Sequence, residues 1–192
     1  IEEIFWDENA GCYMDASDWD SSTRTQITNA LFLLYTDPSP ARNLSAQMSI
    51  LDRTITPPMR AGYMNFYVTE GLARQGKYTE VLDRIREYWG GMIDRGATTF
   101  WETFQPDSPE GSLPERPWSL CHEYCAGPVY TLPARIAGIR ALEPGFTRLE
   151  IAPHPVDLDW IKSNVPTPLG TVSLTCNKTT DGNVYMDIEI QI

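Results

Sequence analysis

The sequence predicts a mainly helical chain that closes on a small antiparallel β unit, and three observations carry that reading. Four of the 15 prolines fall in residues 1–105 and the other eleven in 106–192, so only the first part can hold long uninterrupted helices. Apolar residues in that first part recur every three to four positions, the period of a helix buried along one face. After Gly138 the period drops to two, which is the period of a strand.

The first helical stripe is Ile27, Leu31, Leu34 and Tyr35, and the second is Leu44, Met48, Leu51 and Ile55. Asp37-Pro38-Ser39-Pro40 separates the two, and Thr56-Pro57-Pro58 separates the second from a third made of Met64, Tyr67, Val68 and Leu72. The clearest stripe is Val81, Leu82, Ile85, Tyr88, Trp89, Met92 and Ile93, entered after Gly76 and left at Arg95-Gly96. A short helix is expected after Thr98-Thr99, where a hydroxyl can cap the free amides of a first turn. A Pro-rich loop covers 105–118, and a further apolar-periodic segment from Leu120 to Ile139 must accommodate Pro128 and Pro133. Strands are expected at Phe146–Ala152, at Thr171–Cys176 and from Val184 to Ile192. The Asp181-Gly182 step between the last two supplies the positive φ angles of a hairpin. The expected division is a helical part, 1–144, and a β part, 145–192.

Composition excludes several classes. With 26 acidic residues against 15 basic ones the net charge is −11, which disfavours phosphate-backbone recognition of nucleic acid. An apolar content of 42% argues for a folded chain. Leu31–Tyr35 is far short of the roughly 20 apolar residues that span a bilayer, so no membrane partner is expected. Ile1 is preceded by neither Met nor a basic-then-apolar leader, so the start reads as a processed or cut end. Four cysteines, Cys12, Cys121, Cys125 and Cys176, admit three pairings if two disulfides form. Sequons at Asn43 and Asn177, a low pI and the even cysteine count lean towards a secreted glycoprotein. The Cys121-His122-x-x-Cys125 spacing matches no zinc knuckle, and no metal, nucleotide or flavin motif appears, so no cofactor is expected.

The densest run of functional-looking residues is Gly96 to Phe104. In it Glu102 is flanked by Phe100, Trp101 and Phe104, a setting that can stack a sugar ring and tune a general acid or base. The same pattern also describes a helix whose aromatics pack in the core. Trp101 and Trp118 are candidate pocket walls, because an indole offers apolar area to a sugar's C–H face. A lone histidine such as His122 is, on residue type alone, more often structural. His154, Asp15, Asp18 and Asp20 have no motif partner and read as surface or capping groups.

Ala97-Thr98-Thr99-Phe100-Trp101-Glu102 is followed by Ser119-Leu120-Cys121-His122, Ala137-Gly138-Ile139, Pro144-Gly145-Phe146 and Thr167-Pro168-Leu169-Gly170. In that order and spacing these segments resemble the C-terminal part of the family 78 glycoside hydrolases, the inverting α-L-rhamnosidases. The opening Phe5 to Asp15 resembles the segment where those enzymes leave one helix and enter the next. The resemblance implies the C-terminal half of an (α/α) six-hairpin barrel followed by part of an antiparallel β-sandwich. It implies Glu102 as the general base that activates water, and His122 as a contact to rhamnose hydroxyls. It also implies a rhamnose-containing glycoside as substrate.

Inverting hydrolysis needs a second carboxyl group as acid. In the family this acid sits in an Arg-Asp-Glu-Arg-like segment well upstream, and no such segment occurs in these 192 residues. Asp83, Glu87 and Asp94 are the nearest upstream carboxylates and fit no family pattern. The remaining N-terminal part of the same enzyme is therefore the expected partner. The isolated chain is expected to be inactive. Two alternatives stay open: a non-catalytic fragment that binds sugar or its missing half, and a six-hairpin glycosidase for another sugar.

Overall fold

The computed structural model describes residues 2–17, 23–106 and 119–191. They form two compact units, Ile1–Gly127 and Pro128–Ile192.

The first unit opens with a single helical turn, α1 (Glu2–Phe5), and a minimal hairpin, β1 (Trp6–Asp7) with β2 (Cys12–Tyr13). Four helices follow: α2 (Gln26–Tyr35), α3 (Pro40–Leu51), α4 (Gly62–Arg74) and α5 (Tyr78–Ile85). Helix α2 starts where Thr25 caps the Thr28 amide, and Asp15 accepts from the Thr25 amide and from both hydroxyls, at 3.1, 2.8 and 2.6 Å. Asp15 is thus a capping group, whereas Asp18 and Asp20 lie outside the described residues. Ser39 caps α3 with Pro40 in its first turn, where the missing N–H costs nothing. The buried Asn29 ties α2 to the hairpin, accepting from the Tyr13 amide at 2.9 Å and donating to its carbonyl at 3.1 Å.

Two predicted stripes do not face this core. Helix α2 buries Gln26, Asn29, Ala30 and Leu33, and α3 buries Ala46, Gln47, Ser49 and Ile50. Leu44 and Met48 are instead 57% and 56% exposed, and Tyr35 is exposed as well. Neighbouring helices here pack through small and polar side chains that hydrogen-bond internally, which apolar periodicity does not register. The 81–93 stripe forms a helix with a defect: α5 passes into a π-turn, Arg86–Gly90, before α6 (Gly91–Asp94). The extra residue lets the adjacent Tyr88 and Trp89 both turn inward.

In the second unit α7 (Pro128–Thr131) runs into a π-turn, Leu132–Ile136, with Pro128 in the helix's first turn. A short hairpin pairs β3 (Ile139–Ala141) with β4 (Leu149–Ile151). A three-stranded antiparallel sheet follows in the order β5 (Trp160–Thr167), β6 (Gly170–Lys178), β7 (Val184–Gln191). The expected strand at Phe146–Ala152 is shorter, because Pro144–Phe146 forms a 3-10 turn. Thr167-Pro168-Leu169-Gly170 closes the β5–β6 hairpin, with Thr167 paired to Gly170. Val172, Leu174 and Cys176 are buried on one sheet face, and their β7 partners Ile190, Ile188 and Met186 are exposed on the same face. All four cysteines are free thiols; Cys12, Cys125 and Cys176 are buried.

Gly138 opens the β3–β4 hairpin at φ +70°, and a Cβ there would overlap the carbonyl of Ala152. Gly145 has nearly the same φ, +71°, but open space around it. Gly145→Ala should therefore cost only the left-handed backbone penalty, about 1–2 kcal/mol. Gly138→Ala should cost at least about 2 kcal/mol more, because the ladder must move apart. Urea unfolding of the two variants checks the ordering.

Candidate active site

Residues 97–104 are not a helix. Thr99 donates its hydroxyl to the Leu120 carbonyl instead of capping a turn, and Phe100–Phe104, with a bend at Glu102, runs between two other segments. On one side the Glu102 amide donates to the Ser119 carbonyl at 2.9 Å and the His122 amide to the Phe100 carbonyl at 2.9 Å. On the other side the Gly62 amide donates to the Glu102 carbonyl at 3.2 Å and the Phe104 amide to the Arg60 carbonyl at 2.8 Å. Ala61 and Thr103 form an antiparallel bridge. Backbone pairing that a helix would satisfy within itself is here satisfied across three segments.

The start of α4 depends on this pairing. Its N-cap, Ala61, offers no side-chain acceptor, so the Gly62 amide, one of the helix's orphan donors, is met by the Glu102 carbonyl. The same carbonyl accepts from the Cys125 thiol at 3.5 Å, and burial pushes that thiol's pKa up, which keeps it a donor. Gly62 is required here, because a Cβ would lie 2.8 Å from the Cys125 Cβ. Trp89, turned inward by the π-turn, donates its indole N–H to the Cys125 carbonyl at 2.7 Å. That bond anchors the 3-10 turn, Glu123–Cys125, which begins immediately after His122.

Glu102 is half-buried, and among the described residues no side-chain or backbone donor engages its carboxylate. His122 is also half-buried, with its ring 5.9 Å from that of Tyr124 in an edge arrangement. Tyr124 lies 5.8 Å from Tyr63 on the first turn of α4, whose hydroxyl is 3.2 Å from that of Tyr67. The backbone therefore brings Glu102 and His122 onto adjoining segments. Trp101 is 4% exposed and packs in a cluster with Tyr88, Trp89, Met92 and Phe104. Trp118 lies outside the described residues. Asp83 and Glu87 are engaged elsewhere, with Arg86 at 3.4 Å and with Arg53 respectively. Both line a separate cavity of about 400 Å3 that none of the site residues reaches. Among the described residues no group of three His, Cys, Asp or Glu side chains could hold a metal ion. Sequence reasoning missed Gly62, Trp89 and Cys125 as supports, because no spacing relates residues 62, 89 and 125 to Glu102.

Residues 138–190 match the model of the bacterial α-L-rhamnosidase C-terminal domain family. An α-L-rhamnosidase of Formosa agariphila is 29% identical over 161 residues, covering 79% of this chain and 17% of that protein. One from Alteromonas sp. strain LOR is 33% identical over 97 residues, covering 49% of this chain and 10% of that protein. The crystal structure of a family 78 rhamnosidase of Bacillus sp. GL1 superposes with a TM-score of 0.78 at 27% identity, covering 98% of this chain. The chain is similar over nearly its whole length to a family 78 rhamnosidase, and its residues 138–190 match a rhamnosidase C-terminal domain. A Klebsiella oxytoca rhamnosidase with rhamnose bound superposes on 68% of this chain, with a TM-score of 0.54 at 27% identity. The chain spans 20% of the Bacillus structure and 25% of the Klebsiella one, a minor part of each relative.

Trp101 is part of the buried aromatic cluster beside Glu102 in the chain. Trp101→Ala should lower stability by about 3–5 kcal/mol, as for other buried aromatics cut to Ala. Chemical denaturation checks this; a change below about 1 kcal/mol would contradict core packing.

Proposed function

We propose that the chain is the C-terminal part of an inverting α-L-rhamnosidase, in which Glu102 is the general base and His122 contacts the hydroxyls of a terminal rhamnose. The observation that carries the reading is the two-sided backbone pairing of Phe100–Phe104, which holds Glu102 and His122 on adjoining segments. A carboxylate that no described donor engages can accept a proton from water. Fixing its backbone on both sides limits the motion that would misalign that water with the anomeric carbon. The substrate class follows from the relatives, which are named α-L-rhamnosidases, and from the neighbour with rhamnose bound.

On this reading the general acid belongs to polypeptide outside these 192 residues, at the roughly 6.5–9.5 Å separation that leaves room for the attacking water. Residues 1–144 are then part of the helical-hairpin barrel and 145–192 part of the β-sandwich. The exposed faces of Leu44 and Met48 on α3, and of Met186, Ile188 and Ile190 on β7, favour this assignment, since a longer protein would cover them. Isolated, the chain lacks the acid and should not turn over a rhamnoside.

In the full-length enzyme Glu102→Gln should lower kcat on a chromogenic rhamnoside by about 100-fold to 10,000-fold, the range general base catalysis supplies. Rhamnose affinity should stay within a few-fold. Turnover near that of the unaltered enzyme would overturn the assignment.

A further inference from the structure

We propose that Asn65, oriented by Arg84, is a positioning residue for Glu102: the buried Gln26–Arg84–Asn65 cluster fixes the segment 59–62 on which the Glu102 backbone rests. The proposal rests on Glu102 being the general base.

The three side chains come from different helices and are 1%, 9% and 0% exposed. Arg84 Nη1 donates to Gln26 Oε1 at 3.0 Å and to Asn65 Oδ1 at 2.7 Å, and the guanidinium lies 5.5 Å from the centre of the Tyr88 ring. Both of these acceptors are neutral amides; burial pulls the Arg84 pKa down, against the smaller opposing effects of Tyr88 and the Glu87 charge. A cation in that setting is a costly way to fill space that an apolar side chain would pack. What the guanidinium supplies is orientation. With its oxygen engaged by Arg84, the Asn65 amide must turn its NH2 towards the Met59 and Ala61 carbonyls, at 3.1 and 3.2 Å. The Gln26 oxygen meanwhile accepts from the Met59 amide at 3.3 Å. Met59 is therefore held at both its N–H and its C=O. The next residues, Arg60 and Gly62, carry the carbonyl and the amide that pair with Phe104 and Glu102. Hydrogen bonds and the intervening peptide bonds of residues 59–62 thus link a buried cation on α5 to the backbone of Glu102.

Asn65→Asp in the full-length enzyme tests this. It keeps an oxygen for Arg84 and the shape of the side chain, but turns a second oxygen towards the Met59 and Ala61 carbonyls. Because small misplacements of a catalytic group are costly, kcat should fall roughly 10-fold to 100-fold, with KM within about threefold. Asn29→Asp is the control, the same change at an equally buried amide that bonds Tyr13 and Thr25 instead. Its kcat per folded molecule should be unchanged. If Asn65→Asp does not fold, Asn65→Ala, which also loses both donations, carries the same expectation. A normal kcat in a folded Asn65 variant, while Glu102→Gln is inactive, overturns the positioning role. Near-normal turnover by Glu102→Gln overturns the base assignment instead.

Discussion

The structure around Glu102 depends on one constraint: an irregular segment, 100–104, whose peptide groups are shared between the entry to α4 and the run leading to His122. Each such hydrogen bond contributes only about 1 kcal/mol net, but a buried peptide group left unpaired costs about 1–3 kcal/mol. The penalty for disrupting the pairing is therefore larger than its gain suggests. Because α4 has no side-chain cap, its first amide and the Glu102 carbonyl satisfy each other. Helix start and site thus stand or fall together. Cys125 bonds the same Glu102 carbonyl, Trp89 bonds the Cys125 carbonyl, and the π-turn lets Trp89 reach in.

Much of the fold was legible in the sequence. The helices at 26–35, 40–51 and 62–74, the long apolar helix after Gly76 and the strands at 170–178 and 184–191 follow from apolar period and from Pro and Gly positions. The faces of α2 and α3 were not legible. Their buried sides combine Leu33 and Ile50 with Ala, Ser, Asn and Gln, while Tyr35, Leu44 and Met48 are exposed. Strand β5 was missed, because Lys162, Ser163 and Asn164 mask the alternation of Ile161 with Val165. The segment at Glu102 was misread as helix because Thr98-Thr99 is a sound capping signal locally, while the acceptor that wins the Thr99 hydroxyl, the Leu120 carbonyl, lies 21 residues away.

For the site itself, motif resemblance pointed to Glu102 and His122, and the fold brings both onto adjoining segments. It could not point to Asn65 or Arg84. Their contribution runs through carbonyls, which any residue possesses, so only the folded arrangement of α2, α4 and α5 exposes it. The two compact units differ in the same respect. The second, read from period two, is strand pairing in sequence order, whereas the first places its chemistry through pairings between residues 60 and 122.

Amide hydrogen exchange of the full-length enzyme tests the central claim most directly, because it reads individual backbone pairings. The account predicts that the amides of Gly62, Glu102, Phe104 and His122 exchange as slowly as the core of α4, and that they become faster together in Asn65→Asp. Exchange of the Glu102 and Phe104 amides at the rate of an exposed loop would contradict it.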